Sequence, residues 1–100
     1  MSERLMVAFA ASAVADIEKI LEWYREQQIL EVGKRLVSEI MGRVEALQDY
    51  PDMGRVVPEF GRDNLRELIH SPFRIVYRRD SSRVRIVRVW RSERLLKLPT

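Results

Sequence analysis

The chain has 100 residues without a tandem repeat, 46% of them apolar, enough for the core of one domain spanning residues 1–100. No apolar run is long enough to span a bilayer and the N-terminus lacks a signal-peptide layout, so a cytoplasmic protein without a membrane partner is expected. Cysteine is absent and histidine occurs once, which excludes disulfides and thiolate metal sites, and no metal or cofactor is expected; the net charge of +3 is split between a half with six Lys/Arg against ten Asp/Glu (residues 1–54) and one with twelve against five (residues 55–100).

Leu5-Met-Val-Ala-Phe-Ala10 is a short apolar run that reads as an N-terminal strand, ending where Ser12 is placed to cap a helix. From Ala13 to Gln28, Val14, Ile17, Leu21 and Tyr24 recur three or four apart, widened by Ile20 and Trp23, and this stripe predicts an amphipathic helix. Asp16 and Glu18 stand in its early turns, where carboxylates favour the positive end of the helix dipole. After a break near Gln27-Gln28-Ile29, a second stripe of Val32, Leu36, Val37, Ile40, Met41, Val44 and Leu47 predicts another helix, which Pro51 ends. So short a link implies an antiparallel hairpin. Gly33 and Gly42 each weaken the second helix by about 1 kcal/mol relative to alanine. Close backbone approach to the first helix or to the sheet is the expected reason for both.

Asp49 to Gly61 is a turn-rich connector with two prolines and two glycines. Three strands follow, Leu65 to His70, Phe73 to Arg79 and Arg83 to Trp90, separated by links tight enough to make them antiparallel neighbours. In the last of them the apolar phase changes between Ile86 and Val87, which implies a bulge or a strand buried on both faces. The fold class is α+β, in the order β-α-α-β-β-β: an N-terminal strand, an antiparallel two-helix hairpin, then three antiparallel strands in one sheet packed on that hairpin. The opposite sheet face would expose many arginines. The basic half contains a single lysine, Lys97. Arginine's planar fork suits an acidic protein segment or a nucleic acid, while the plain alternative is a solvated sheet face.

Three pieces of the chain have a familiar order and spacing: Leu47-x-x-Tyr-Pro-x-x-Gly-Arg55, Arg66-Glu-Leu-Ile-His-Ser-Pro-Phe-Arg-Ile-Val-Tyr77 and Val89-Trp-Arg-Ser-Glu-Arg94. Together, from about Ser12 to Leu96, they resemble the RelE/ParE superfamily of small bacterial toxins from type II toxin–antitoxin systems, also known as plasmid-stabilisation proteins. The resemblance implies a fold but leaves the activity open, because RelE-like members cut messenger RNA in the ribosomal A site whereas ParE-like members poison DNA gyrase.

RNA cleavage by the 2′-hydroxyl needs a base, an acid and positive charge on the phosphate. By resemblance, Arg74 occupies the position of a catalytic arginine in RelE-like nucleases. Arg91 and Arg94, at the end of the last strand, are the further cations that such a site would use. The proton-transfer groups are missing from their places. Where RelE-like nucleases carry basic residues on the strand, this chain has Leu65 and Glu67; no tyrosine or histidine follows Tyr77, and Arg91 takes the place of a histidine found in many relatives. Arginine stays protonated and is no ordinary base. His70, before Ser71-Pro72, reads as a structural strand-end residue, Tyr77 as core, and Glu67 as the partner of Arg66 or Arg74 in an ion pair. Trp23 and Trp90 read as packing residues, with stacking on a base or partner as the other possibility.

Two readings follow, the first closer to the ParE-like branch. It is a toxin that inhibits DNA gyrase through its surface and is neutralised by a cognate antitoxin in a hetero-oligomer. The resemblance implies that the antitoxin's C-terminal segment folds on the toxin, and an acidic, apolar segment would match Arg66, Arg74, Arg78, Arg85, Trp90, Arg91, Arg94, Leu95 and Leu96. Its contacts would run over the sheet edge, the outer groove of the hairpin and the tail Leu95-Leu-Lys-Leu98. The second is a RelE-like, ribosome-dependent mRNA endoribonuclease using Arg74, Arg91 and Arg94, against which the presence of only Lys19, Lys34 and Lys97 weighs. An inactive copy that only binds antitoxin is a third.

Overall fold

The computed structural model describes residues 4–91. Its elements in chain order are β1 (Met6–Phe9), α1 (Ala11–Glu26), α2 (Leu30–Ala46), β2 (Arg55–Val56), β3 (Leu65–His70), β4 (Phe73–Arg79) and β5 (Arg83–Arg91). The five strands form one mixed sheet in the order β1-β5-β4-β3-β2, with β1 parallel to β5 and every other pair antiparallel. This is the expected α+β arrangement, with one strand more than the sequence suggests, because two-residue β2 sits inside the connector. Among the described residues no helix is long and apolar enough to cross a membrane.

The core follows from two periods meeting. Alternate residues Phe73, Ile75 and Tyr77 of β4 point to one face, joined through the strand register by Leu68 of β3 and by Val84, Ile86 and Val89 of β5. Ala13 and Tyr24 of α1, Leu36, Ile40 and Val44 of α2, and Leu47 just beyond it close over that face. Between the helices, Gln28 takes a positive φ of 63°, and the Ile29 N–H donates to the Tyr24 carbonyl at 2.9 Å, which turns the chain back. Gly33 is where the helices touch: a Cβ there would lie 2.8 Å from Tyr24 Cβ. Gly42 meets nothing within 4 Å, so close approach does not explain it.

The start of α1 differs from the sequence reading. The helix begins at Ala11, with Ala10 as an N-cap that makes no side-chain bond. Ser12 is therefore inside the helix, and its Oγ donates to the Val87 carbonyl at 2.6 Å. Asp16 likewise turns away from the dipole role: it is 6% exposed, accepts from the Val89 N–H at 2.9 Å, and takes a two-point contact from Arg88 at 2.8 Å on each oxygen. The reason lies in the sheet, for β1 pairs with β5 only as far as Phe9 and Ile86. Beyond that point the β5 edge would have unpaired backbone groups, and Ser12 and Asp16, one helical turn apart, satisfy two of them.

The phase change in β5 is a bulge. Tyr77 pairs with Ile86 and Val76 with Arg88, leaving Val87 as the extra residue. The connector is pinned from below by Tyr77, whose hydroxyl donates to the Pro51 carbonyl at 2.7 Å and accepts from the Gly54 N–H at 3.0 Å.

Candidate functional site

The face of the sheet turned away from the helices carries Glu67 on β3, Arg74, Val76 and Arg78 on β4, and Arg83, Arg85 and Trp90 on β5, as strand alternation and register require. The part of the connector after β2 borders it, with Val57 buried and Glu59 and Phe60 exposed residues of the following turn. Between them lies a groove of about 300 Å³, lined by Val57, Phe60, Leu65, Val76, Val87 and Trp90, with Glu59, Arg74, Arg78 and Arg88 as its charged residues.

Arg74 is the centre of this face, and it is not an open cation. Only 5% of the residue is exposed. Its Nε donates to Glu67 at 2.5 Å, Nη2 also meets Glu67, and the outer edge of the guanidinium donates to both Glu59 oxygens at 3.0 and 3.2 Å. Glu67, whose side chain is fully buried, takes Arg55 Nε on its other oxygen at 2.5 Å. The four side chains form an alternating chain, Arg55, Glu67, Arg74, Glu59, with no net charge. Burial works against the Arg74 charge, but hydrogen bonds to Glu59 and Glu67 outweigh it and raise its pKa above the usual arginine value. The same hydrogen bond holds the Glu59 carboxyl below its ordinary 4.5.

Arg78 and Arg85 are different. They stand directly opposite each other on β4 and β5, both exposed, and among the described residues neither side chain has a hydrogen bond or ion pair. Like charges facing across a ladder destabilise it, so this end of the face is poised to receive anions.

The remaining sequence candidates are distributed elsewhere. Arg66 is opposite Tyr77 in the register and so on the helix side, where it braces the connector by donating to the Asp63 carbonyl at 3.0 Å and the Gly54 carbonyl at 2.9 Å. It is not a partner of Glu67. Arg91 is opposite Phe73, also on the helix side, with its guanidinium 5.7 Å from the Trp23 ring centre and 5.9 Å from that of Phe73. The structure therefore places Arg74 and Arg91 on opposite faces. Trp90 shares the face of Arg74 and lies under Arg88 at 4.6 Å, while Trp23 is 47% exposed beside a second cavity of about 500 Å³ between α1 and β5. His70 is tied to α2, with Nε2 2.9 Å from Glu39 and Nδ1 3.4 Å from Arg43. Tyr77 is core, and burial raises its phenol pKa. Arg94, Leu95 and Leu96 lie outside the described residues.

Sequence reasoning did not find Glu59, Arg55 or Asp16. Glu59 had no local signal, being one of two acids in a turn without periodicity. Asp16 did have one, since a carboxylate on the apolar stripe one turn after Ser12 is out of place on a solvated surface.

The chain matches, over residues 7–96, the family model described as the ParE toxin of the type II toxin–antitoxin system parDE. None of the curated proteins compared with it is significantly similar. Among solved structures it is similar to a chain of the chromosomal ParDE TA system from P. aeruginosa, at a TM-score of 0.74 and 24% identity, covering 90% of this chain and 98% of that one. It is also similar to a chain of the E. coli DinJ-YafQ toxin–antitoxin complex, at a TM-score of 0.58 and 8% identity, covering 92% and 97%. At these identities the two structures speak for the fold.

Proposed function

Because the chain belongs to the ParE toxin family of type II toxin–antitoxin systems, we propose that it acts by binding, as an inhibitor of DNA gyrase neutralised by a cognate antitoxin, and does not cut RNA. The observation that carries this reading is the state of Arg74. A guanidinium that stabilises a transition-state phosphate must present uncompensated charge to the reacting group. Arg74 instead faces two carboxylates, and an incoming phosphate would meet Glu59 first. The residues able to move protons do not converge on it either. His70 and Tyr77 project to the opposite face and are engaged with Glu39, Pro51 and Gly54.

The similar structures come from toxin–antitoxin assemblies, which supports an antitoxin partner and a hetero-complex. An apolar groove with unpaired Arg78 and Arg85 at its rim suits an acidic, apolar segment that orders on binding. The test is induction in bacteria without antitoxin. Filamentation with gyrase-linked DNA breaks is expected. Cleavage inside translated messages without such breaks would refute the gyrase reading in favour of the nuclease, and an absence of any growth effect would refute it in favour of an inactive copy.

A further inference from the structure

We propose that Glu59 is a built-in stand-in for a partner's carboxylate: Arg74 and the groove beside it form a binding site for an acidic peptide segment, which takes the place of Glu59 as the turn at residues 58–63 moves off. That the natural segment belongs to an antitoxin rests on the reading above. The exchange itself rests on the geometry.

The two carboxylates on Arg74 are unequal. Glu67 is fixed by the register of β3, has no side-chain exposure, and is held from its other side by Arg55. Glu59 lies in a turn whose residues 58–63 are all exposed, its side chain is 24% exposed, and both of its oxygens are committed to Arg74. Val57 anchors the turn, accepting from the Phe60 and Gly61 N–H groups at 3.1 and 3.0 Å. The far end of the turn is held by the Arg62 carbonyl, which accepts from the Leu65 N–H at 3.1 Å, and by the Asp63 carbonyl, which accepts from Arg66 at 3.0 Å; between these ends the clamp on Arg74 is what draws Glu59 onto the sheet.

Taking Glu59 away turns the neutral chain of ion pairs at the groove cationic. It is the sole acid among the lining residues, and without it Arg55, Glu67 and Arg74 sum to one positive charge, next to Arg78 and Arg88. The outer edge of a nearly buried guanidinium then lacks acceptors, which is costly unless another oxyanion arrives. Replacing one carboxylate by another preserves the two-point contact, so the exchange avoids most of the penalty of breaking a buried pair. Arg78 and Arg85 offer seats for further carboxylates, and relief of their mutual repulsion favours the bound state.

The chemistry favours a peptide over a nucleic acid. The floor is aliphatic, formed by Val57, Leu65, Val76 and Val87, and a volume of about 300 Å³ accommodates a leucine-sized side chain. Trp90, the aromatic residue of the sheet here, has Arg88 stacked on it, so its ring is not an open platform for a base.

The test uses the purified full chain and a short fluorescein-labelled peptide of alternating leucine and glutamate, with the glutamine counterpart as control, read by fluorescence anisotropy. The glutamate peptide should bind the wild type, and bind Glu59→Gln about fivefold more tightly. The glutamine peptide should gain nothing. Glu59→Asp, which keeps the charge but shortens its reach, should fall between them and serves if Glu59→Gln folds poorly. In nuclear magnetic resonance spectra of the wild type, saturation with the glutamate peptide should shift the amides of Phe60 and Gly61. Equal or weaker binding by both variants, equal gains for the two peptides, or unmoved amides at saturation would overturn the proposal. None of these readouts involves gyrase or growth, so failure of the gyrase reading would leave them intact.

Discussion

Replacing Arg74 with methionine keeps much of the side-chain length and removes the charge. The consequence falls first on Glu67, which is 1% exposed and would be left with Arg55, a partner whose side chain is 61% exposed. Removing one member of a buried pair costs about 3–5 kcal/mol. Arg55 remains and Glu59 can return to water, so the expected loss for Arg74→Met is about 2–4 kcal/mol. Domains of this size have about 5–15 kcal/mol in all. The magnitude matters for function, because lost toxicity in an Arg74 variant would follow from unfolding as readily as from a missing catalytic cation. The assay is urea unfolding followed by the fluorescence of Trp23 and Trp90, comparing Arg74→Met, Glu67→Gln and the double variant. The double variant should be more stable than the summed single losses predict, by about 1 kcal/mol or more, since neither charge is then stranded. A loss below about 0.5 kcal/mol for Arg74→Met, or strict additivity in the cycle, would refute the clamp as a structural unit.

Asp16→Ala should destabilise the protein by about 1–3 kcal/mol, because the Val89 N–H is left buried without an acceptor, while Asp16→Asn, which keeps an acceptor, should cost less; urea midpoints distinguish them. Gly33→Ala should destabilise by about 1–3 kcal/mol through the contact with Tyr24, whereas Gly42→Ala should stabilise by up to about 1 kcal/mol as a plain gain in helix propensity, both read from thermal melts. The Glu59 carboxyl titrates below its ordinary 4.5 when folded, so its contribution is complete above that pH and is lost as the pH falls through the lower folded value. The stability gap between wild type and Glu59→Gln should therefore be present at neutral pH and close in acid.

The helices and long strands were legible because each repeats a local period: the stripe from Val14 to Tyr24, the stripe from Val32 to Leu47, and the alternation of Phe73, Ile75 and Tyr77. Even the bulge was visible, since Val87 breaks the alternation of Val84 and Ile86. The separation of the arginines was present in the same pattern but needed to be followed through. Arg66 is in phase with buried Leu68, and Arg91, counted from Val89 beyond the bulge, is in phase with the core, so both belong to the face opposite Arg74. What the sequence did not disclose were contacts set by tertiary geometry. Asp16 meets β5 across more than seventy residues of chain, and Glu59 reaches Arg74 from a turn without periodicity. Two-residue β2 is too short to carry a pattern of its own.

The excess of positive charge in residues 55–100, twelve basic residues against five acidic, overstates what the surface offers a partner. Arg55 and Arg74 are spent on Glu67 and Glu59, Arg66 and Arg79 on Asp52, and Arg88 on Asp16. What remains uncompensated on the groove side is concentrated at Arg78 and Arg85, at one end of an apolar floor. A surface of this kind should show weak salt dependence: few ions are released on binding, and burial of half-buried Val87 and Leu65 is not screened. A nucleic-acid surface behaves otherwise, with about 0.9 of an order of magnitude lost per order of salt for every phosphate neutralised on duplex DNA. Binding of the acidic leucine-bearing peptide at rising salt therefore measures which kind of surface this is. A slope near that for two charges is expected. A slope several times steeper would mean that the paired arginines open collectively on binding, and that the ion pairs seen here do not persist in the complex.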